Sequence, residues 1–169
     1  GAVGANSAAG TAIIQGNVST NGGSVVFNKA AQLVSATPVS TKILASGDTG
    51  LSGSITFEKA VVLNNQASST VTLDTQAAKS GATYTGTGGN ILFKDSITSN
   101  SISLPQQLIL TTTGTTVGGN FAGSVTFGDS TTDYVGTSAN PLGALVITGP
   151  TYTFLNTSQI NLKAPSGNL

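Results

Sequence analysis

The sequence predicts an all-β fold, a parallel β-helix (β-solenoid) of roughly nine coils, on three observations. Short runs rich in Val, Ile, Thr and Phe are bounded by Gly, Asn and Ser. One such run recurs four times along the chain. Gly and Pro are scattered so that no three-turn helix escapes interruption. The alternative fold is a β-sandwich or jelly roll, which also uses short strands with frequent turn signals. A membrane barrel fits less well, because 5% aromatics leave no interfacial girdles.

The recurring run is Gly23-Ser24-Val25-Val26-Phe27, Gly53-Ser54-Ile55-Thr56-Phe57, Gly89-Asn90-Ile91-Leu92-Phe93 and Gly123-Ser124-Val125-Thr126-Phe127. Its pattern is Gly, a small polar residue, a β-branched residue, any residue, Phe. The phenylalanines are 30, 36 and 34 residues apart. A weaker run lies between copies: Ile43-Leu44-Ala45, Val71-Thr72-Leu73, Leu108-Ile109-Leu110 and Leu145-Val146-Ile147. Counting both runs gives one unit per about 17 residues, with a 12-residue step from Ile43 to Ile55 that reads as a shortened turn.

Period-2 geometry puts Val25 and Phe27 on one face and Val26 on the other. The expected core ladder is therefore Phe27, Phe57, Phe93 and Phe127, on alternate coils, with Val25, Ile55, Ile91 and Val125 beside it. Gly and Asn at the corners supply bends that β-branched residues resist. The chain divides into residues 1–20, an irregular segment or first coil; 21–149, the repeats; and 150–169, a terminal coil or a junction to further coils.

Composition removes whole classes of chemistry. The 169 residues hold no His, Cys, Met or Trp, and only 7% are charged. Without His or Cys there is no Ser–His or Cys–His nucleophile, no zinc site of the usual kind, no haem or iron–sulfur ligation and no disulfide. All six cations are lysines and the net charge is +0, which gives a phosphate backbone little to bind. No stretch is apolar enough for a membrane-spanning helix. The start Gly1-Ala2-Val3-Gly4 reads as a processed product or a piece of a longer chain, with no signal peptide visible.

The Gly-Ser-Ile-Thr-Phe and Gly-Ser-Val-Thr-Phe runs are each followed by a leucine-rich run, ending in Pro141-Leu142-Gly143-Ala144-Leu145-Val146-Ile147-Thr148-Gly149. Over residues 20 to 149 this pattern resembles the repeats of filamentous-haemagglutinin-like large exoproteins. The resemblance implies a secreted β-helix at a bacterial cell surface, serving as an adhesin or structural fibre. It carries over no catalytic residues, and the expectation is a non-enzymatic protein without cofactor or metal. The alternative is a carbohydrate-binding or carbohydrate-cleaving β-helix.

That alternative needs clustered carboxylates. The acids are Asp48, Glu58, Asp74, Asp95, Asp129 and Asp133, with Asp129 and Asp133 nearest in sequence. Asp129 falls two residues after a Phe, a slot also held by Lys29, Lys59 and Asp95, and so reads as a solvated corner. No calcium loop occurs, and Gly86-Thr87-Gly88-Gly89-Asn90-Ile91 lacks the last glycine and the helix of a dinucleotide loop. The Asn17-Val18-Ser19 and Asn156-Thr157-Ser158 acceptor patterns are expected by chance. Tyr84, Tyr134 and Tyr152 read as covers for loops or a coil end rather than sugar platforms. Thr-x-Thr triplets starting at Thr70, Thr83, Thr111 and Thr151 are too unevenly spaced for an ice-binding array. The expected partners are further coils of the chain or identical subunits end to end, because neither Gly1–Gly10 nor Ile160–Leu169 reads as a convincing cap. Surface glycans or proteins of a host are further candidate partners; nucleic acid is not.

Overall fold

Alternate burial builds the strands. Val25 and Phe27 are buried with Val26 partly exposed between them, and Ile55–Thr56–Phe57 and Ile91–Leu92–Phe93 repeat the pattern. A residue pair of that kind gives a strand one dry face and one wet one. The computed structural model describes residues 3–5, 10–34, 41–47, 52–64, 69–103, 105–114, 122–129, 132–155 and 157–163, with backbone alone at 3–5 and 157–158. Asp48 and Asn156 lie outside the described residues, as do parts of the segments 1–20 and 150–169.

The described elements are all β. In chain order they are β1 (Val3–Ala5), β2 (Ala12–Gln15) and β3 (Val18–Ser19); β4 (Val25–Phe27), β5 (Ala31–Val34) and β6 (Thr41–Leu44); and β7 (Ile55–Phe57), β8 (Val61–Leu63) and β9 (Thr70–Asp74). A small antiparallel hairpin follows, β10 (Lys79–Ser80) with β11 (Thr83–Tyr84). Then come β12 (Ile91–Phe93), β13 (Ile97–Ser99) and β14 (Gln107–Thr111); β15 (Ser124–Phe127), β16 (Asp133–Val135) and β17 (Ala144–Thr148); and β18 (Thr151–Phe154) and β19 (Thr157–Ile160).

Each group of three visits the same three sheets in the same order. The first sheet runs β1-β4-β7-β12-β15-β18, the second β2-β5-β8-β13-β16-β19 and the third β3-β6-β9-β14-β17. Every pairing within them is parallel, with like positions opposite one another: Val25↔Ile55, Ile55↔Ile91 and Ile91↔Val125 on the first sheet, for example. Three stacked parallel sheets of this kind are compatible with a β-solenoid. The apolar core lies between them, from Ile14 through Phe57 and Leu73 to Leu142.

The described strands make five full circuits and the first two strands of a sixth, not roughly nine coils, and the phenylalanines stand on successive circuits rather than alternate ones. The 17-residue unit counted first-sheet and third-sheet strands of one circuit as two coils. It also passed over the second-sheet strands altogether. The third-sheet run is displaced as well: Ile43 pairs with Leu73, and Thr41 with Val71. A threonine therefore fills a slot held elsewhere by Val71 and Leu108, and its hydroxyl donates to the Val34 carbonyl oxygen at 2.8 Å. That bond makes full burial tolerable for a polar side chain.

Candidate functional site

The geometry that repeats along this chain is a set of ladders, one rung per circuit. Phe27, Phe57, Phe93 and Phe127 are all buried, as are Val25, Ile55, Ile91 and Val125. The phenyl rings stack at centroid separations of 4.9, 5.2 and 5.1 Å, with interplanar angles of 15°, 4° and 3°. Those separations follow the strand spacing of a sheet, about 4.8 Å, so the backbone sets the stack. Phe154 adds a fifth rung at 4.9 Å from Phe127. The sequence pattern passed it over, because Pro150-Thr151-Tyr152-Thr153-Phe154 has Pro in place of the Gly and Tyr in place of the β-branched residue.

The glycine and polar positions of the repeat have separate duties. A Cβ on Gly53 would lie 2.3 Å from the Gly23 backbone, on Gly89 2.0 Å from the Gly53 carbonyl oxygen, and on Gly123 1.7 Å from that of Gly89. No side chain fits between backbones that close. The next residue links circuits through its side chain. Ser24 Oγ accepts from the amide of Ser54 at 3.1 Å, Ser54 Oγ from that of Asn90 at 3.1 Å, and Asn90 Oδ1 from that of Ser124 at 2.9 Å. A second polar stack joins Gln32, Asn64 and Asn100, in or directly after strands of the second sheet.

The carboxylates are spread among the corners and bound up in local contacts. Glu58 Oε2 pairs with Lys94 Nζ at 2.7 Å, one circuit apart. Asp74 accepts from the amide and the Nε2 of Gln76 at 2.8 and 2.7 Å. Asp95 accepts from the Ser96 amide at 2.6 Å. Asp129 is exposed, as the corner reading expects, but Asp133 is only 3% exposed and its Oδ2 accepts the Asp129 amide at 3.3 Å. The two nearest acids thus form a loop-closing contact. Among the described residues no three acids gather in a group able to hold a metal ion.

The tyrosines divide by place. Tyr84 sits on the hairpin, where its hydroxyl accepts from Thr113 Oγ1 at 2.6 Å and Lys79 Nζ stands 4.6 Å from its ring centroid. Lys79 of the same hairpin thus stands over the ring, which is partly buried. Tyr152 is 60% exposed on the last circuit. The outward threonines form no continuous array: Thr72 is flanked by Lys42 and Ile109, and Thr56 by Val26 and Leu92.

Comparison with protein-family models, with curated proteins and with solved structures finds no match to this chain.

Proposed function

We propose that this chain is a segment of a parallel β-helix and serves as a non-enzymatic structural or adhesive part of a bacterial cell-surface or extracellular fibre. The observation that carries the reading is the in-register stack of five phenylalanines, flanked by its glycine and polar ladders. Residues repeated circuit after circuit for contact with their own copies serve length and rigidity, and each such unit buries its core only against its neighbours. The repeat also carries the resemblance to filamentous-haemagglutinin-like exoproteins, which supports the extracellular setting.

The acids support the non-enzymatic side of this reading. A retaining or inverting glycosidase needs two carboxyl groups aimed at one bond from about 5 to 9.5 Å apart. Here Glu58, Asp74, Asp95 and Asp133 each engage a neighbouring Lys side chain, Gln side chain or backbone amide. Incubating the purified chain with a panel of acidic and neutral polysaccharides should release no reducing ends. Turnover that disappears in Asp133→Asn would overturn the structural reading in favour of a carbohydrate-cleaving one.

A further inference from the structure

The last circuit leaves bare the slots that every earlier circuit covers. Val125, Phe127, Val135 and Leu142 are 0–1% exposed. Their partners one step on are Tyr152, Phe154, Ile160 and Leu162. Of these, Tyr152 is 60%, Ile160 49% and Leu162 52% exposed, while Phe154 is half-buried. On the third sheet Leu145 and Ile147 are likewise only partly buried, against full burial of Leu108 and Leu110 beneath them. The side chains are apolar and sit where the core of the next circuit would begin.

The backbone at this end is open in the same sense. Among the described residues, β18 and β19 are the edge strands of the first and second sheets, and β1 and β2 are the opposite edges of the same two sheets. Since all the pairings are parallel, a strand's two sides differ, and the side missing a partner at one end is the side satisfied by the other end. An edge of unpaired N–H and C=O groups is a template for another chain.

We infer that this apolar end face receives a second copy of this chain, stacked head to tail through its β1 and β2 edges. The inference rests on the β-helix reading and names its partner. On the first and second sheets the second copy repeats the step already made five times inside the molecule, so its β1 and β2 edges meet β18 and β19 in the same parallel sense. The second-sheet edge of the incoming copy is small where it would meet Ile160: Ala12 stands in that register slot and is partly buried. Charge does not oppose the contact. Among described residues the terminal circuit carries only Lys163, and β2 and β3 carry no charge. A contact between unlike surfaces that involves no rotation back to the start does not close, so it propagates as a filament.

Light scattering of the full chain over a dilution series tests this. The average mass should rise with concentration, and Tyr152→Lys and Leu162→Lys should each weaken association roughly tenfold or more, because a lysine would be buried in an apolar contact. Both sites are exposed, so the variants should keep the fold. A second measurement isolates the fold itself: Thr56→Cys with Leu92→Cys, register partners on the outer face, should oxidise to a disulfide within one chain. A strictly monomeric particle whose disulfide forms overturns the head-to-tail contact alone. Failure of the disulfide overturns the stacked reading and the contact with it. Association unchanged by both lysines overturns the end face as its site.

Discussion

The amide of Gly89 donates to the carbonyl oxygen of Thr75 at 2.8 Å, and this one bond closes off the whole excursion of residues 76–88. The same clasp joins Gly53 to Ala45 at 2.9 Å and Gly123 to Thr112 at 2.9 Å, and a longer one of 3.4 Å joins Gly23 to Thr20. At Thr75 the hydroxyl reinforces it, donating to the Gly89 carbonyl oxygen at 2.6 Å. The separations across the three later clasps are 8, 14 and 11 residues, which track the phenylalanine spacings of 30, 36 and 34. Uneven length in the sequence is therefore discharged at one corner, outside the ladders.

Lengthening a clasped excursion should cost little. Six Gly/Ser residues inserted at Gly81, the tip of the hairpin, should lower stability by less than about 1 kcal/mol, since loop entropy grows only logarithmically. Urea unfolding followed by circular dichroism reads this directly. A loss of several kcal/mol would mean that the hairpin itself holds the circuits together.

Gly89→Ala should be among the most damaging single changes. Its Cβ would stand 2.0 Å from the Gly53 carbonyl oxygen, and neither backbone has room to give. Overpacking of this kind costs about 1–3 kcal/mol or more. Gly81→Ala makes the informative comparison: nothing lies within 4 Å of a Cβ there, so its cost should come from backbone conformation alone, at φ +60°.

Phe93→Ala should destabilise by about 3–5 kcal/mol, the range for emptying a buried aromatic site. Its ring has a stacked neighbour on both sides, at 5.2 and 5.1 Å. Phe154→Ala should cost less, because that ring is half-buried and has one stacked neighbour. Equal losses at the two positions, measured by chemical denaturation, would contradict a stack that gains from both faces.

The ion pair between Glu58 and Lys94 should matter far less. Both side chains are about a third exposed, at 32% and 37%. Lys94→Ala should therefore change stability by no more than about 1 kcal/mol, and the difference should shrink in high salt. Comparing wild type and variant at low and high ionic strength checks it.

Much of the first sheet was legible, because Gly, a small polar residue and Phe mark each of its middle strands. The second sheet was legible too, through a signal left unread: an apolar residue stands four positions after each of three phenylalanines, at Ala31, Val61 and Ile97. The fourth copy hides it, since the loop holding Asp129 pushes the equivalent residue out to Val135. Thr41 and Ser99 obscured their strands for a different reason. Each is polar and fully buried in a slot that is otherwise filled by Val71 or Leu63. Each is made tolerable by a local hydrogen-bond partner, Val34 for one and Gln106 for the other, that no hydrophobic pattern announces. The corner reading of Asp129 rested on its slot accepting either sign of charge; the burial of Asp133 depends on the three-dimensional return of its own loop.

Because the pairings between β-strands of the three main sheets all join one circuit to the next, the direction of a pull decides how the molecule yields. Tension along the stacking direction loads the hydrogen bonds of a single boundary and peels circuits away in turn, beginning at an end where the inward side chains are already half uncovered. Tension along the strands loads many bonds of a boundary together and must shear them at once. The same chain is thus weak as a zipper and strong as a lap joint, and where its anchor points lie decides which of the two it is.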